Sequence, residues 1–492
     1  MSTLPHIGDD EKLDASRGYP VIDAHEHASI DGAKFDLTYR YTEARHAGLS
    51  HLSALAVLGD LLQTWYPGSP RPDGWPETPV VVPPVGAVRP LVGPVRLRGT
   101  SFADANGPRV VHGCSDFAAL VKHHEDRDTS LRTLDTIAAH QQYVRVLWRL
   151  NGWMWSGEPG RWPNARLTVD PKRDVWYDDV LRDYLTECHN RGLRVNLSSG
   201  DMNNWSVAQM EDGFRRTAQI AASVSPEVVW LAACTNEMRG TWNGGESPEN
   251  IARAESLMRI WAQHYPNSLR AISDPGSQDK AGMRRLSGGN TQVALIHDVR
   301  WQTPDALRRA FNTMYENYPG KPVVQDEPTG PNGSPPQSEF SRHVYQPIED
   351  HDDLLAIFTM HAITGQASTY FNDPALVSRN PLDSTWGFKE LPAAWRAMEI
   401  PEDIGQGTLT PGHKYEAPLQ VNGSGADRAD SMVLGDYSIG IISGGTNWRV
   451  KSGRDGQATA YTAAGVVWSG RVSRGQLLPI TGPTPTVVRI VG

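Results

Sequence analysis

Two glutamates stand at the ends of apolar runs of strand length. Val228–Gly240 reads VVWLAACTNEMRG and delivers Asn236 and Glu237 before it breaks at Gly240. Lys321–Gly330 reads KPVVQDEPTG, a second apolar run that ends in Glu327, with Pro328 and Gly330 closing it off. Two carboxyl groups about 5–5.5 Å apart are the equipment for cleaving an acetal with retention: one attacks the carbon while the other protonates the departing oxygen. Any two glutamates are more often surface or ion-paired residues, but the matched strand tips favour the chemical reading. Asp326, next to Glu327, should point the opposite way by strand alternation, which makes it structural.

These tips need a scaffold, and the chain alternates in the way one would. Short apolar runs of strand character occur at 109–114, 143–148, 193–198, 228–235, 268–273, 292–297, 321–326 and 367–372. Helical patterns lie between them at Asp128–His140 (Asp128 as N-cap), Tyr177–Asn190, Ser247 to about His264, Asp305–Tyr318 and Asp352–Thr364. Ser247-Pro248-Glu249 is a helix start, with proline in the first turn and acid beside it. Eight strands with intervening helices predict a (β/α)8 TIM barrel over 95–400. All strand C-termini of such a barrel open on one face, so glutamates ending strands four and seven can meet across its mouth. A doubly wound sheet also alternates, but no GxGxxG follows the first strand.

Residues 1–94 read as an N-terminal extension with amphipathic helices around Leu37–Trp65 and a proline-crowded, extended stretch at Tyr66–Pro94. Val95–Arg98 and Arg109–Val111 flank FADANG, a hairpin suited to closing the bottom of the barrel. From 401 to 492 the chain turns to short β-prone segments (Val433–Ile442, Trp448–Val450, Thr459–Ser469 and Val487–Val491), which predicts a small C-terminal β-sandwich domain.

The Asn-Glu pair ending strand four, with a second glutamate ending strand seven, resembles the retaining (β/α)8 glycoside hydrolases of clan A, which include cellulases, mannanases and β-galactosidases. That resemblance implies Glu237 as acid/base and Glu327 as nucleophile, with Asn236 bonding the sugar 2-hydroxyl. It further implies that Arg145, in YVRV of strand two, supports the nucleophile, and that His297, ending strand six, lies near it. The chain departs from the cellulase-like pattern after His297, where IHDVR lacks the usual aromatic. The implied substrate is a polysaccharide or oligosaccharide, with no cofactor or metal required.

Tryptophan adds a second signal, because its large face stacks on the apolar faces of sugar rings. Trp148, Trp153, Trp155 and Trp162 lie in and after strand two, Trp205 after strand three, Trp242 after strand four, Trp301 after strand six and Trp386 after strand eight. Of these, Trp153, Trp155, Trp205 and Trp242 are the candidates to line a substrate cleft. A rival lies near the start of the chain. Asp23-Ala24-His25-Glu26-His27 resembles the first metal motif of amidohydrolases, whose histidines would hold zinc to activate water. The remaining ligands of that site have no match beyond His297. A non-catalytic carbohydrate-binding barrel is the third reading, and loss of either strand-tip glutamate would have favoured it.

Composition sets the outer bounds. The 492 residues carry a net charge of −9 with no basic run, which argues against a nucleic-acid partner. Cys114, Cys188 and Cys234 are odd in number and far apart, so no disulfide framework or CxxC site is expected. No stretch approaches the roughly 18 apolar residues of a membrane span. The start lacks the basic and apolar regions of a signal peptide, which leaves compartment open.

Overall fold

A computed structural model describes residues 88–99, 101–151, 168–200, 202–236, 238, 242–274, 290–296, 322–326, 358–359, 361–362, 365–370, 419–422, 428–434, 437–443, 449–462, 465–481 and 486–491. The expected amphipathic helices and proline-rich stretch before residue 88, the HxH motif, the helix at 305–318 and most of that at 352–364 lie outside the described residues.

A three-stranded antiparallel sheet comes first: β1 (Arg96–Arg98), β2 (Ser101–Asp104) and β3 (Gly107–Arg109). FADANG was expected as the connection; its first three residues instead complete β2, and the turn is confined to Ala105-Asn106. The barrel strands are β4 (His112–Ser115), β5 (Tyr143–Asn151), β7 (Arg194–Ser199), β8 (Val229–Ala233), β9 (Leu269–Asp274), β10 (Val293–Ile296), β11 (Val323–Gln325) and β12 (Ala367–Tyr370). Each pairs parallel with its neighbour, and β4 pairs with both β12 and β5. The eight strands therefore close into a (β/α)8 barrel. The extra strand β6 (Thr168–Val169) runs antiparallel to the far end of β5.

The helices among the described residues follow the strands they connect: α1 (Ala119–Glu125), α2 (Arg127–His140), α3 (Tyr177–Asn190), α4 (Val207–Val224) and α5 (Pro248–His264). Ser247 caps α5 as expected, accepting from the Asn250 N–H. For α2 the cap is Asp126, two residues before the expected Asp128, because its carboxylate accepts both the Thr129 N–H and the Thr129 hydroxyl. The helix α4 has no counterpart among the expected helices, although Ser206 and Gln209 form a reciprocal capping box at its start.

Two apolar layers hold the barrel. The outer one lies between strands and helices and includes Trp148, Tyr184, Phe214 and Trp261. The inner one fills the floor of the barrel with Tyr143, Trp230, Leu231, Ala271, Val293, Leu295 and Val324. Leu91, Val95 and Phe102 belong to the same cluster, so the N-terminal sheet closes the bottom. A register shift where β7 meets β8 makes room for Trp230 on the inside, edge-on to Phe102 at 5.7 Å.

The C-terminal part comprises β13 (Leu419–Asn422), β14 (Arg428–Leu434), β15 (Tyr437–Ser443), β16 (Arg449–Ser452), β17 (Gly456–Thr462), β18 (Gly465–Val472), β19 (Leu477–Thr481) and β20 (Thr486–Val491). They form antiparallel sheets in the orders β13-β16-β19 and β14-β15-β20-β17-β18. Val450, Leu478 and Ile480 of the first share a buried cluster with Ala458, Ala460, Val472, Val488 and Ile490 of the second. That shared core is the signature of two sheets packed face to face. Two expected segments, 433–442 and 459–469, each take in parts of two paired antiparallel strands.

Candidate active site

Above the apolar floor the inside of the barrel changes character. Arg145 on β5, Asn196 on β7, Thr369 on β12 and Asp326 just beyond β11 converge there, with Asn236 beyond β8 at their upper edge. Arg145 and Asp326 are both 0% exposed. The Arg145 Nε lies 2.7 Å from Asp326 Oδ2, while its Nη2 donates to Asn236 Oδ1 at 2.6 Å. The guanidinium stacks over Phe117, 4.5 Å from the ring centre, which fixes its plane.

Asp326 is held from several strands. Its Oδ1 accepts from Asn196 Nδ2 at 2.9 Å and from the Thr369 hydroxyl at 3.3 Å, and its backbone N–H donates to the Ile296 carbonyl at 2.9 Å. Thr369 in turn bonds the Tyr143 hydroxyl at 2.7 Å, and burial pushes that phenol far above the usual range. Ser198 donates to Asn196 Oδ1 at 3.3 Å. Ion pairs this deeply buried depend on hydrogen bonds to their remaining lone pairs and protons, and Asn236, Asn196 and Thr369 supply some of those here.

Two expectations bear on this network. Asp326 is expected to point opposite to Glu327, which lies outside the described residues; β11 ends at Gln325, and the Asp326 side chain itself enters the barrel. Arg145 was expected to support Glu327; among the described residues its acidic partner is Asp326 and its second partner Asn236. The Asn236 amide orientation follows from this pairing. A guanidinium has only donors, so the amide oxygen must face it and the NH2 group turns the other way.

Glu237, Glu327, His297, Trp153 and Trp155 lie outside the described residues. Trp205 and Trp242 are 6% and 5% exposed, so neither offers solvent an open face. Trp205 is covered by the Arg149 guanidinium at 4.3 Å and the Lys172 ammonium at 5.3 Å, with Trp148 beside it and Gly213 of α4 directly below. These contacts make it a packing residue of the helical layer, a correction to its expected place in the cleft. Trp242 sits in the loop after β8. That loop is tied by Asn250, whose Nδ2 donates to the Asn243 and Gly245 carbonyls at 2.9 and 2.8 Å.

Asn196, Thr369 and Tyr143 were not singled out from sequence. The signal was a polar residue in phase with Arg145 on a neighbouring buried strand, since Arg145 and Asn196 are register partners. Among the described residues, no group of three or more His, Cys, Asp or Glu side chains is arranged to hold a metal ion. All three cysteines are buried thiols.

No protein-family model matches the chain, and no curated protein matches its sequence. Solved structures do. One described as a glycoside hydrolase superposes with a TM-score of 0.57 at 16% identity, over 82% of this chain and 96% of that one. A Bacteroides vulgatus protein assigned to the glycoside hydrolases gives 0.56 at 13% identity, over 81% and 82%. The fold is shared with glycoside hydrolases. The likeness spans more than the barrel alone, since the barrel expected at 95–400 is well short of four-fifths of the chain.

Proposed function

We propose that the chain is a retaining glycosidase that acts on a polysaccharide or oligosaccharide by double displacement, with Glu327 as nucleophile and Glu237 as acid/base. One observation carries this reading: a single buried guanidinium bridges the residues that immediately precede the two glutamates, Asn236 and Asp326. A group that fixes both strand tips at once is what a pair of cooperating carboxyls requires, because their roles depend on a separation of about 5–5.5 Å. The shared fold supports the reading, as does the position of Asn236 and Asp326 just beyond the C-terminal ends of β8 and β11, the end at which barrels of this kind carry their chemistry.

The steps follow from charge. Ionised Glu327 attacks the anomeric carbon while protonated Glu237 gives its proton to the leaving oxygen. The negative charge of Glu327 keeps Glu237 protonated until the sugar esterifies Glu327; that charge then disappears, and Glu237 serves as base toward water. Asn236, with its oxygen committed to Arg145, offers its NH2 group to a sugar hydroxyl. Trp153 and Trp155 are the residues proposed to stack on the substrate.

A panel of nitrophenyl glycosides and polysaccharides tests the proposal. Turnover of at least one member is expected, with loss of about 1000-fold or more in both Glu237→Gln and Glu327→Gln on polysaccharide substrate. Saturable binding of a polysaccharide with no turnover would instead make the chain a carbohydrate-binding barrel.

A further inference from the structure

We propose that Asp326 is a positioning residue: through Arg145 it locks the tips of β8 and β11 together, and it cancels the charge of the group that does so. The proposal rests on the assignment of Glu237 and Glu327 given above. Asp326 has bonds from β5, β7 and β12 on its carboxylate and to β10 through its backbone N–H. A side chain held from three strands, on a backbone tied to a fourth, has one orientation, and it imposes that orientation on the guanidinium.

The guanidinium then has two edges to use. Nε faces Asp326 and Nη2 faces Asn236, with Phe117 against its face. This fork geometry belongs to arginine; an ammonium is a point donor and cannot span both partners. The consequence at β8 is a fixed Asn236 amide directly before Glu237. The consequence at β11 is a fixed backbone directly before Glu327.

Charge gives Asp326 its second task. A lone guanidinium this deep in the barrel would stabilise the ionised form of any carboxyl near the mouth. An acid that must keep its proton at neutral pH would lose it. Asp326 lets the clamp exist while leaving the titration of the site to the two glutamates.

The test is the pH profile of kcat/KM on the nitrophenyl glycoside turned over best. Asp326→Asn removes one negative charge beside Arg145, so both the acidic limb (Glu327) and the alkaline limb (Glu237) should move to lower pH. A unit charge roughly 10 Å away at an effective dielectric of about 20 moves them by about one pH unit. The same variant should lose about tenfold or more in kcat, with KM within about threefold. Arg145→Lys keeps the charge but not the fork. Its limbs should stay within about 0.3 pH units while kcat still falls about tenfold or more.

A residue that merely braces the barrel would lower the melting temperature in both variants and move neither limb. Folded Asp326→Asn protein with unshifted limbs, assayed beside an inactive Glu327→Gln, overturns this proposal and leaves the glycosidase reading standing. Should Asp326→Asn fail to fold, Arg145→Lys decides: kcat within about twofold of the parent overturns the clamp. Full turnover in Glu327→Gln would instead remove the reading on which the proposal rests.

Discussion

Tyr265 offers a sharp separation of stability from chemistry. It closes α5, and its hydroxyl donates to the Ser225 carbonyl at 2.8 Å while accepting from the Val229 N–H at 3.1 Å. One oxygen thus joins the C-terminal ends of α4 and α5 to the first residue of β8. Val229 is fully buried and Ser225 nearly so. Tyr265→Phe keeps the ring but leaves one buried N–H and one buried C=O without their partner. Each orphaned group costs about 1–3 kcal/mol, so a loss of roughly 2–4 kcal/mol is expected. In a domain of this size that corresponds to a melting temperature lower by roughly 4–10 °C. The hydroxyl sits at the N-terminal end of β8, a strand length away from Asn236. Activity of the folded variant at 25 °C should therefore stay within about twofold of the parent. Burial raises the phenol's pKa, so the hydroxyl keeps its proton through any ordinary assay pH. Thermal unfolding followed by circular dichroism, with turnover measured on the same samples, checks both halves. A melting temperature unchanged within about 1 °C would refute the orphaned-group reasoning.

His361 is fully buried beside the Ser368 hydroxyl, and burial lowers its pKa from 6.5 to about 3. Below pH 6.5 the unfolded chain gains a proton that the folded one refuses, so stability is complete above that pH and falls by up to about 1.4 kcal/mol per unit toward pH 3. Urea melts at pH 6, 5 and 4 should show a shallower decline in His361→Gln; an identical decline would contradict this. At Gly213 an added Cβ would sit 2.5 Å from the Trp205 ring. Gly213→Ala should thus cost about 1–2 kcal/mol after its gain in helix propensity, with KM unchanged; a raised KM would restore Trp205 to the cleft. Turnover should survive exhaustive EDTA treatment, and abolition by EDTA with restoration by zinc would favour the HxH reading.

Much of the barrel was legible because parallel strands are buried on both faces and appear as continuous apolar runs. All eight were placed within a few residues, β5 being longer than its apolar core because β6 pairs with its end. Side-chain direction at strand ends was harder to read. Asp326 stands two residues past Val324 of the inner floor, so alternation itself carries it into the barrel, a phase readable only once the inner face of β11 is known. Trp205 shows a second limit. Its position after a barrel strand suggested the mouth, but Gly213 opens a slot in α4 that draws the indole into the helical layer. The helix α4 was missed although both its capping box and an apolar stripe through Met210, Phe214, Ala218 and Ala221 at helical spacing mark it. Asn196 could have been found by asking which polar residues share a phase with Arg145.

The central claim is that Glu327 attacks and Glu237 supplies and removes the proton, and azide rescue tests it most directly. Glu237→Ala should still form the glycosyl intermediate from a dinitrophenyl glycoside, whose leaving group needs no protonation, and then stall. Azide needs no base, so it should restore turnover and give the glycosyl azide of retained configuration. Glu327→Ala should be inactive alone, and azide rescue there should give the inverted product, because azide then attacks the substrate itself. Retention with Glu237→Ala and inversion with Glu327→Ala, read by proton NMR of the products, is the predicted result. The opposite pairing, or near-normal turnover by Glu327→Ala without azide, would contradict the account.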